Sequence, residues 1–234
     1  MNTLIHLSLN DWRITFRDPM MKLFLVMPFF TFLFIRFGWP ILSTNFPFLQ
    51  DHSLLVLMWA CTQVASMFGF IYGFLFLEEK EEHVWSAIRI LPVSVFQLTL
   101  SRLMVGVLIG TLTNFTIIHW GGLMRFPIYQ EILLAFHFSF IAPVIAMAIA
   151  VFAQNRIEGL AQTKIVNLVT IIPGLLFILP YKALHLFAII PTYWSFKSME
   201  AAALNQSLFW LFYILGLAFY LLCIWWMSGR LARQ

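Results

Sequence analysis

Long apolar runs separated by short polar segments dominate the pattern of hydrophobic positions along this chain. A helix needs about 20 apolar residues to cross the hydrocarbon core of a bilayer, and six runs come close to that length. The pattern therefore predicts six membrane-spanning helices, at Leu23–Leu42, Leu54–Leu77, Leu98–His119, Ile132–Ala153, Ile165–Tyr181 and Leu208–Met227.

Two of these runs are interrupted. Arg36 lies inside the first run, and Pro173 breaks the fifth. Proline removes a main-chain donor and clashes with the preceding helical turn, but neighbouring helices in a membrane bundle can compensate for this loss. We therefore expect Pro28, Pro143 and Pro173 to kink the first, fourth and fifth spans.

The composition supports a membrane protein. The chain has 234 residues, of which 62% are hydrophobic and 10% are charged, whereas soluble domains are about half apolar and a quarter charged. An open sheet cannot lie in lipid because its edges would keep unsatisfied hydrogen-bonding groups. We expect an all-α polytopic helix bundle: one transmembrane domain over residues 1–234, with the six spans at 23–227.

The basic residues indicate the orientation of the bundle, because cytoplasmic loops carry more lysine and arginine than outer loops. Six spans place both termini on one side. With both termini in the cytoplasm, ten of the 14 basic residues lie inside, and the four outside are Arg36, Arg125, Lys182 and Lys197. The ten inside are Arg13, Arg17, Lys22, Lys80, Arg89, Arg102, Arg156, Lys164, Arg230 and Arg233. We therefore expect cytoplasmic termini, with Glu78–Ser94 and the Gln154–Lys164 turn also in the cytoplasm.

The N-terminal segment, residues 1–19, has the spacing of an amphipathic helix. Its apolar face consists of Ile5, Leu9, Trp12 and Phe16, and its polar face of His6, Asn10, Arg13 and Arg17. Such a helix lies in the headgroup layer with its basic face towards water and phosphates. We interpret this segment as an interfacial helix that Asp18 and Pro19 end.

The segment between the second and third spans, Glu78–Ser94 (EEKEEHVWSAIRILPVS), holds four of the ten acidic residues of the chain. Its spacing predicts a short amphipathic helix that Pro92 stops. One face carries Val84, Trp85, Ile88 and Leu91, and the other Glu82, Ser86 and Arg89. We expect the acidic residues to lie at the amino end of this helix, where the helix dipole stabilises negative charge.

A helix that rests on anionic lipid would carry lysine and arginine on its polar face. This helix begins with acids and exposes a tryptophan, and tryptophan and arginine often anchor protein interfaces. The segment therefore favours contact with a protein partner. The alternative is a helix that only caps the bundle.

Four pieces of the sequence resemble the six-span permease subunits of ATP-binding cassette (ABC) exporters, and most closely the permeases of fluoroquinolone export. They are NDWRITFRDPM before the first span, EEKEEHVWSAIRILPVS after the second, FAQNRIEGLAQTKIVN before the fifth and IIPTYWSFKS before the sixth. Their order and their spacing relative to the spans match the family, and together they cover most of the chain.

The resemblance implies a role for the Glu78–Ser94 segment. In the family this loop forms the coupling helix, which inserts into a groove of the ATPase subunit. The residues implied in that contact are Glu81, Glu82, Val84, Trp85, Ile88, Arg89 and Leu91. Family members often have glycine and threonine after the paired acids, where this chain has His83 and Val84.

The chain itself carries no sequence for ATP hydrolysis. It lacks a GxxxxGK[ST] phosphate-binding loop and a soluble segment large enough for a nucleotide-binding domain. We therefore expect no enzymatic activity and no cofactor in this chain, with ATP and Mg²⁺ bound by a separate ABC ATPase. The resemblance also implies a second permease copy or a paralogue, in contact through the first and fifth spans, in a bacterial or archaeal plasma (inner) membrane.

Polar residues inside the predicted spans are functional candidates by default. The candidates for a translocation route are Arg36, Gln63, Asn114, His137 and Asn167. Each has a simpler reading: Arg36 can reach the outer headgroups, His137 can be a buried hydrogen-bonded side chain, and the amides can bond between helices. His119 and Arg125 are expected near the outer end of the third span.

The outer segment Lys182–Ser207 is too long for a plain turn and is rich in aromatic residues. We expect short helices that dip into the outer interface, one of them starting at Pro191. Such a segment acts as an aromatic anchor in the interface or as a lid over the exit. Cys61 and Cys223 lie in apolar runs, so neither a disulfide framework nor a metal site is expected.

Three functions fit these features. The first is an export permease for a hydrophobic or amphipathic substrate, driven by a partner ATPase. The second is a proton-driven transporter that uses His137, Glu131 or Arg36, against which stand the lack of paired carboxylates mid-membrane and of an inverted repeat. The third is a membrane protein that recruits a partner without transport. The expected partners are the ATPase, a second permease and membrane lipids. Nucleic acid is not expected, because the basic residues flank the apolar runs and do not cluster.

Overall fold

The computed structural model describes Asp11 and residues 15–82, 95–179 and 182–231, with the backbone alone described at 95–98 and 182–184. Within these residues the structure is helical and contains no strand. Six segments are long and apolar enough to cross a membrane, namely Pro19–Asn45, Pro47–Glu81, Thr99–Gly121, Ile128–Phe152, Arg156–Phe177 and Phe209–Leu231. The predicted all-α polytopic bundle of six spans is confirmed.

The first span consists of three consecutive helical pieces. An α-helix at Pro19–Leu33 passes into a π-helical turn at Phe34–Gly38 and then into an α-helix at Trp39–Asn45. Asp18 caps the first piece, because its carboxylate accepts hydrogen bonds from two main-chain N–H groups of the first turn. The first helix continues past Pro28, and its regular geometry changes only at the turn that contains Arg36.

The second and fourth spans form the centre of the bundle. In each of them 72% of the most apolar stretch is buried, compared with 17% in the first and fifth spans. The second span is a helix at Ser53–Glu81, which a 3₁₀ turn at Pro47–His52 precedes. The fourth span is divided into Ile128–Ser139 and Ile141–Phe152.

Glycines allow the second and fourth spans to approach closely. A Cβ atom on Gly69 would lie 2.7 Å from Cβ of Ile145, and one on Gly73 would lie 2.8 Å from Cδ1 of Ile149. These two glycines are four residues apart, which is the spacing of small residues at helix–helix contacts in membranes. The hydrophobic core of the bundle is built around this contact.

Two of the expected kinks appear as breaks in regular helix. The fourth span is interrupted at Phe140, shortly before Pro143. Proline has no main-chain N–H to donate to the preceding turn. In the fifth span the α-helix covers Arg156–Ile171, and a 3₁₀ turn at Ile172–Phe177 contains Pro173. These breaks agree with the predictions for Pro143 and Pro173, whereas the helix at Pro19–Leu33 has no break at Pro28.

The start of the fifth span was predicted wrongly. The helix begins at Arg156 and not at Ile165, so most of the predicted Gln154–Lys164 turn is helical. The polar residues of that stretch lower its hydropathy, so the hydropathy pattern did not include it in the span. Asn155 supplies the start signal, because its side chain caps the helix by accepting a 2.9 Å hydrogen bond from the N–H of Glu158.

The third and sixth spans complete the bundle, with helices at Val95–Gly121 and Phe209–Leu231. Between the fifth and sixth spans lie a 3₁₀ turn at Lys182–Ile189 and an α-helix at Pro191–Ala203, which we call the hairpin helix. Its start at Pro191 confirms the sequence prediction.

The hairpin helix reaches deep into the bundle. The hydroxyl oxygens of Ser195 and Tyr220 are 2.7 Å apart, and Tyr220 lies eleven residues into the sixth span. At a rise of 1.5 Å per residue this is about 16 Å along the helix. The start of the hairpin helix therefore lies level with the middle of the sixth span.

Candidate functional site

A cluster of charged residues joins four elements at one end of the bundle. We call this end the termini side, since Asp11, residues 15–18 and Leu231 lie there, and the opposite end the far side. The charge cluster consists of Asp11, Asp18, Glu78, Glu79, Lys80, Glu81, Arg102 and Arg156. It surrounds the place where the chain leaves the second span towards the 83–94 segment.

Arg102, near the start of the third span, holds two carboxylates at once. Its Nε and Nη2 atoms each donate a 2.7 Å hydrogen bond to the carboxylate of Asp11, and its Nη1 atom donates one of 2.8 Å to Glu79. The side chains of Arg102 and Asp11 are only 4% and 7% exposed. Two parallel bonds between a guanidinium and a carboxylate are strong and geometrically specific, so these groups hold one another in a fixed arrangement.

Arg156, at the start of the fifth span, makes a second set of contacts. Its guanidinium pairs with the carboxylate of Asp18, and its main-chain N–H donates a 2.8 Å hydrogen bond to Glu81. Lys80 donates to the carbonyl oxygen of Ala153 at 3.2 Å. The Arg156 side chain is 42% exposed, so water screens this ion pair more than the Arg102 pair.

The pKa of Asp18 reflects its contacts. Partial burial by itself raises the pKa of this carboxyl, but the hydrogen bonds from Arg156 and from the N–H groups of Met20 and Met21 outweigh burial and lower it. A carboxyl with a lowered folded-state pKa stabilises the fold above its ordinary pKa and loses this contribution as the pH falls through the lowered value. The cap and ion pair of Asp18 are therefore intact at neutral pH.

The structure corrects the predicted position of the acidic residues. The second-span helix does not end at Leu77 but continues to Glu81, and Glu82 is its C-terminal capping residue. Glu78, Glu79 and Glu81 thus lie at a helix carboxyl end, where the helix dipole disfavours negative charge. The basic residues of the charge cluster offset this cost.

Two of the seven predicted ATPase-contact residues are described. Glu81 and Glu82 are both exposed, and Glu81 accepts the hydrogen bond from Arg156. The other five lie outside the described residues: Val84, Trp85, Ile88, Arg89 and Leu91. Sequence reasoning did not select Asp11, Arg102 or Arg156. Their one signal was a charge next to an apolar run, which does not reveal a partner 91 residues away.

Two of the intramembrane candidates lie between helices. Asn114 is fully buried, and its Nδ2 atom lies 3.4 Å from Oγ of Ser139, which connects the third and fourth spans. His137 is also fully buried, with Nδ1 3.0 Å from Oγ of Ser198 on the hairpin helix. Ser198 donates to the carbonyl of Ser195, so the bonding pattern assigns the imidazole proton to Nδ1.

Arg36 lies on the far side. Its side chain is exposed, and Nη1 is 3.0 Å from the position of a Cβ atom on Gly122, just beyond the end of the third span. This position fits the reading in which Arg36 reaches the headgroups.

Gln63 and Asn167 lie at a similar depth on neighbouring spans. The fifth span packs on the second through Gly159 against Leu77 and through Gly174 against Leu55. Gln63 lies between the contact points of the second span and Asn167 between those of the fifth. Both amides are half-buried, and the buried Oδ1 atom of Asn167 has no hydrogen-bond partner among the described residues.

The first span packs on the same face of the second span. Phe24 and Phe70 have ring centroids 5.5 Å apart, and Phe34 and Trp59 are edge to face at 6.3 Å. Trp59 is 37% exposed and lies one helical turn from Gln63. We refer to Phe34, Trp59, Gln63 and Asn167 together as the amide face.

Comparison with known proteins identifies similar sequences along almost the whole chain. Residues 11–228 match the family model described as "Fluoroquinolones export permease protein Rv2686c-like". Two curated relatives from Mycobacterium tuberculosis are named fluoroquinolones export permease protein, MT2760 in strain CDC 1551 / Oshkosh and Rv2686c in strain ATCC 25618 / H37Rv. Each is 22% identical over 232 residues, which cover 96% of this chain and 91% of the relative. No solved structure matches the chain.

Proposed function

The chain belongs to the Rv2686c-like family of fluoroquinolone export permease proteins, and on this basis we propose that it is the membrane subunit of an ATP-driven exporter of amphipathic, drug-like molecules. The observation that carries the proposal is the family match over residues 11–228 of a chain with six membrane-capable helices. A separate ABC ATPase would bind ATP and Mg²⁺ and hydrolyse the nucleotide.

The ATPase would dock on the termini side, and the excess of basic residues on that side supports a cytoplasmic position for it. The docking element would be the 83–94 segment with its apolar Trp85 and Ile88, together with the exposed Glu82. Glu79 is not available for such a contact because it bonds to Arg102. Glu81 already accepts the N–H of Arg156, so its proposed contact would use the remaining exposed carboxylate oxygen.

Two permeases would enclose the route. The first and fifth spans are mostly unburied in the single chain and expose large apolar side chains, including Phe29, Phe30, Ile165 and Leu168. A second copy or a paralogue would cover part of this surface, and lipid the remainder. The bacterial or archaeal plasma membrane is the proposed location.

The substrate would pass along the amide face. A fluoroquinolone, the substrate class in the names of the relatives, is a planar aromatic molecule with carboxyl and amine groups. Trp59 and Phe34 offer aromatic surfaces for such a ring system, and Gln63 and Asn167 offer amide groups for its polar edge. Asn114 and His137 are engaged between helices, so we do not place them on the route.

The contacts do not favour a proton-driven mechanism. Glu131 is paired with His119 at 2.7 Å, His137 is enclosed between helices, and Arg36 is exposed on the far side. Among the described residues, no hydrogen bond connects Glu131, His137 and Arg36 with one another into a relay.

The test is to express the chain together with a candidate partner ABC ATPase in an efflux-deficient bacterium. Accumulation of a fluoroquinolone is followed by the fluorescence of the drug. We expect lower accumulation with both proteins, and no such effect when the phosphate-binding lysine of the ATPase is replaced. Efflux that persists with the inactive ATPase and stops when a protonophore collapses the proton gradient would overturn the proposal.

A further inference from the structure

We propose that Asp11, Arg102 and Glu79 form a clamp that makes the N-terminal segment move together with the 83–94 segment. In this role they are positioning residues for coupling, and the inference rests on the proposed function. The clamp would carry the movement of the ATPase contact to the start of the first span.

The first contact of the clamp, between Glu79 and Arg102, joins the two spans that flank the 83–94 segment. Glu79 lies four residues before this segment and Arg102 eight residues after it, and their side chains are 2.8 Å apart. The two ends of the segment, one on the second span and one on the third, are thereby held together. A force applied to the segment acts on both spans at once.

The second contact adds the N-terminal segment. The Asp11 carboxylate accepts hydrogen bonds from Nε and Nη2 of Arg102, at 2.7 Å each. Asp11 and Thr15 have helical backbone, and Thr15 Oγ donates a 2.9 Å hydrogen bond to the Asp11 carbonyl. Both residues are buried, and the space left between them and Phe68, Ile71 and Tyr72 measures only about 10 Å³. This part of the N-terminal segment is therefore packed against the second span.

The burial of the clamp distinguishes it from an ordinary surface ion pair. Buried ion pairs contribute little net stability compared with apolar packing, whereas removal of one partner leaves an uncompensated buried charge. Their best-attested use is to specify one arrangement of the elements that they join. Here the guanidinium fork must satisfy two carboxylates from two elements, which fixes the relative position of three elements.

Loss of the clamp should leave binding of the ATPase intact and reduce the stimulation of ATP hydrolysis by substrate. In Arg102→Gln the 83–94 residues are unchanged, so the ATPase should still bind. The N-terminal segment would no longer move together with the 83–94 segment. Substrate-stimulated ATP hydrolysis and transport should fall by about tenfold, within the range of factors that coupling free energies between sites produce.

The experiment compares Arg102→Gln and Asp11→Asn with Lys197→Gln, a matched control that breaks the Lys197–Glu200 ion pair of the hairpin helix. Asp11→Asn keeps the Glu79 bond and nearly the same shape, so it remains informative if Arg102→Gln fails to fold. Each variant is purified with the ATPase, and the subunit ratio and substrate-stimulated hydrolysis are measured. A double variant that combines Arg102→Gln with Asp11→Asn should lose no more substrate-stimulated hydrolysis than Arg102→Gln alone if the two residues act as a unit.

A second readout follows the N-terminal segment directly. Cys61 and Cys223 are replaced by alanine, and Thr15→Cys is labelled with a membrane-permeant maleimide. Residue 15 is only 3% exposed, so labelling should be slow in the parent and in Lys197→Gln, and at least about tenfold faster when the clamp is broken. Fast labelling with a normal subunit ratio and reduced stimulation supports the clamp.

The inference fails if both clamp variants keep slow labelling and full stimulation. This result differs from failure of the proposed function. If the proposed function fails, the parent chain itself will not bind the ATPase, yet the labelling rates will still report whether the clamp holds the N-terminal segment.

Discussion

The main-chain N–H of Arg156 donates a 2.8 Å hydrogen bond to the carboxylate of Glu81, which connects the first residue of the fifth span with the last residue of the second. Seventy-five residues separate the two in sequence. This contact divides the acidic run after Leu77 into two groups. Glu78, Glu79 and Glu81 face basic or N–H groups of the bundle, while Glu82 is exposed at the point where the chain leaves the helix.

A change of charge should therefore have different effects at neighbouring acids. We expect Glu82→Lys to weaken the association with the ATPase by a few-fold at low salt and less at high salt, the usual scale of an exposed charge pair. Glu81→Gln keeps an acceptor for the Arg156 N–H and should leave the bundle intact. Co-purification of the ATPase at two salt concentrations measures the first effect, and thermal unfolding of the purified protein measures the second. Equal binding by Glu82→Lys and the parent would remove Glu82 from the interface.

Trp85 should be the main anchor of the same interface. If its ring enters a groove of the ATPase, Trp85→Ala should cost about 2 kcal/mol of association, the scale of an interface hot spot. Transport and stimulated hydrolysis should fall together, while membrane insertion stays normal because no span is altered. Ser86→Ala, on the opposite face of the predicted helix, is the control. Normal ATPase binding and efflux in Trp85→Ala would contradict the coupling role of this segment.

The spans were predictable from the sequence because burial in lipid imposes a length of apolar residues that hydropathy detects directly. The ends were less predictable. The fifth span begins nine residues before the predicted Ile165, since its first turns are polar and lie at the charge cluster. The second span continues past Leu77, and Arg102 and Arg156 pair there with acids that the helix dipole disfavours at a carboxyl end.

The candidate site depended on contacts that no local pattern encodes. The spacing of Glu78–Ser94 marked this region as polar and unusual, but the pairing of Arg102 with Asp11 arises only when the third span packs beside the N-terminal segment. Similarly, Gln63 and Asn167 were selected one by one as polar residues in spans. Their common depth follows from the glycine contacts between the second and fifth spans.

The contact between the second and fourth spans should be sensitive to one methyl group. A Cβ atom on Gly69 would lie 2.7 Å from Ile145 Cβ and 2.9 Å from the Ala142 carbonyl oxygen, and neither atom belongs to a flexible chain end. Gly69→Ala should destabilise the protein by about 1–3 kcal/mol, as overpacking does elsewhere. Gly229→Ala is the matched control, because a Cβ there meets nothing within 4 Å. Thermal unfolding in detergent compares the two, and equal midpoints would show that this contact yields easily.

His137 should be dispensable for energy coupling. An asparagine at this position can still donate a side-chain N–H towards Ser198, but it cannot exchange protons as an imidazole does. We expect His137→Asn to retain most fluoroquinolone efflux with the ATPase, with a modest loss of thermal stability from the missing ring contacts to Tyr213 and Tyr220. His137→Leu, which leaves no donor for Ser198, should lose more stability. Loss of efflux in a stably folded His137→Asn protein would instead support a proton-driven mechanism.

The orientation of the bundle can be tested at two positions on opposite sides. Asn205 is exposed in the turn between the hairpin helix and the sixth span, and Ser86 belongs to the segment between the second and third spans on the termini side. Because ten of the 14 basic residues fall on the side of the termini, we expect that side to face the cytoplasm. In a cysteine-free background, a membrane-impermeant maleimide added to whole cells should label Asn205→Cys and spare Ser86→Cys. After the cells are opened, both cysteines should react, which controls for accessibility.

Asn205 has a positive φ of 51°, a conformation that cysteine adopts less readily than asparagine, so Gln206→Cys in the same turn serves as the second outer site. Labelling of Ser86→Cys alone in intact cells would reverse the orientation and place the proposed ATPase contact on the wrong side of the membrane.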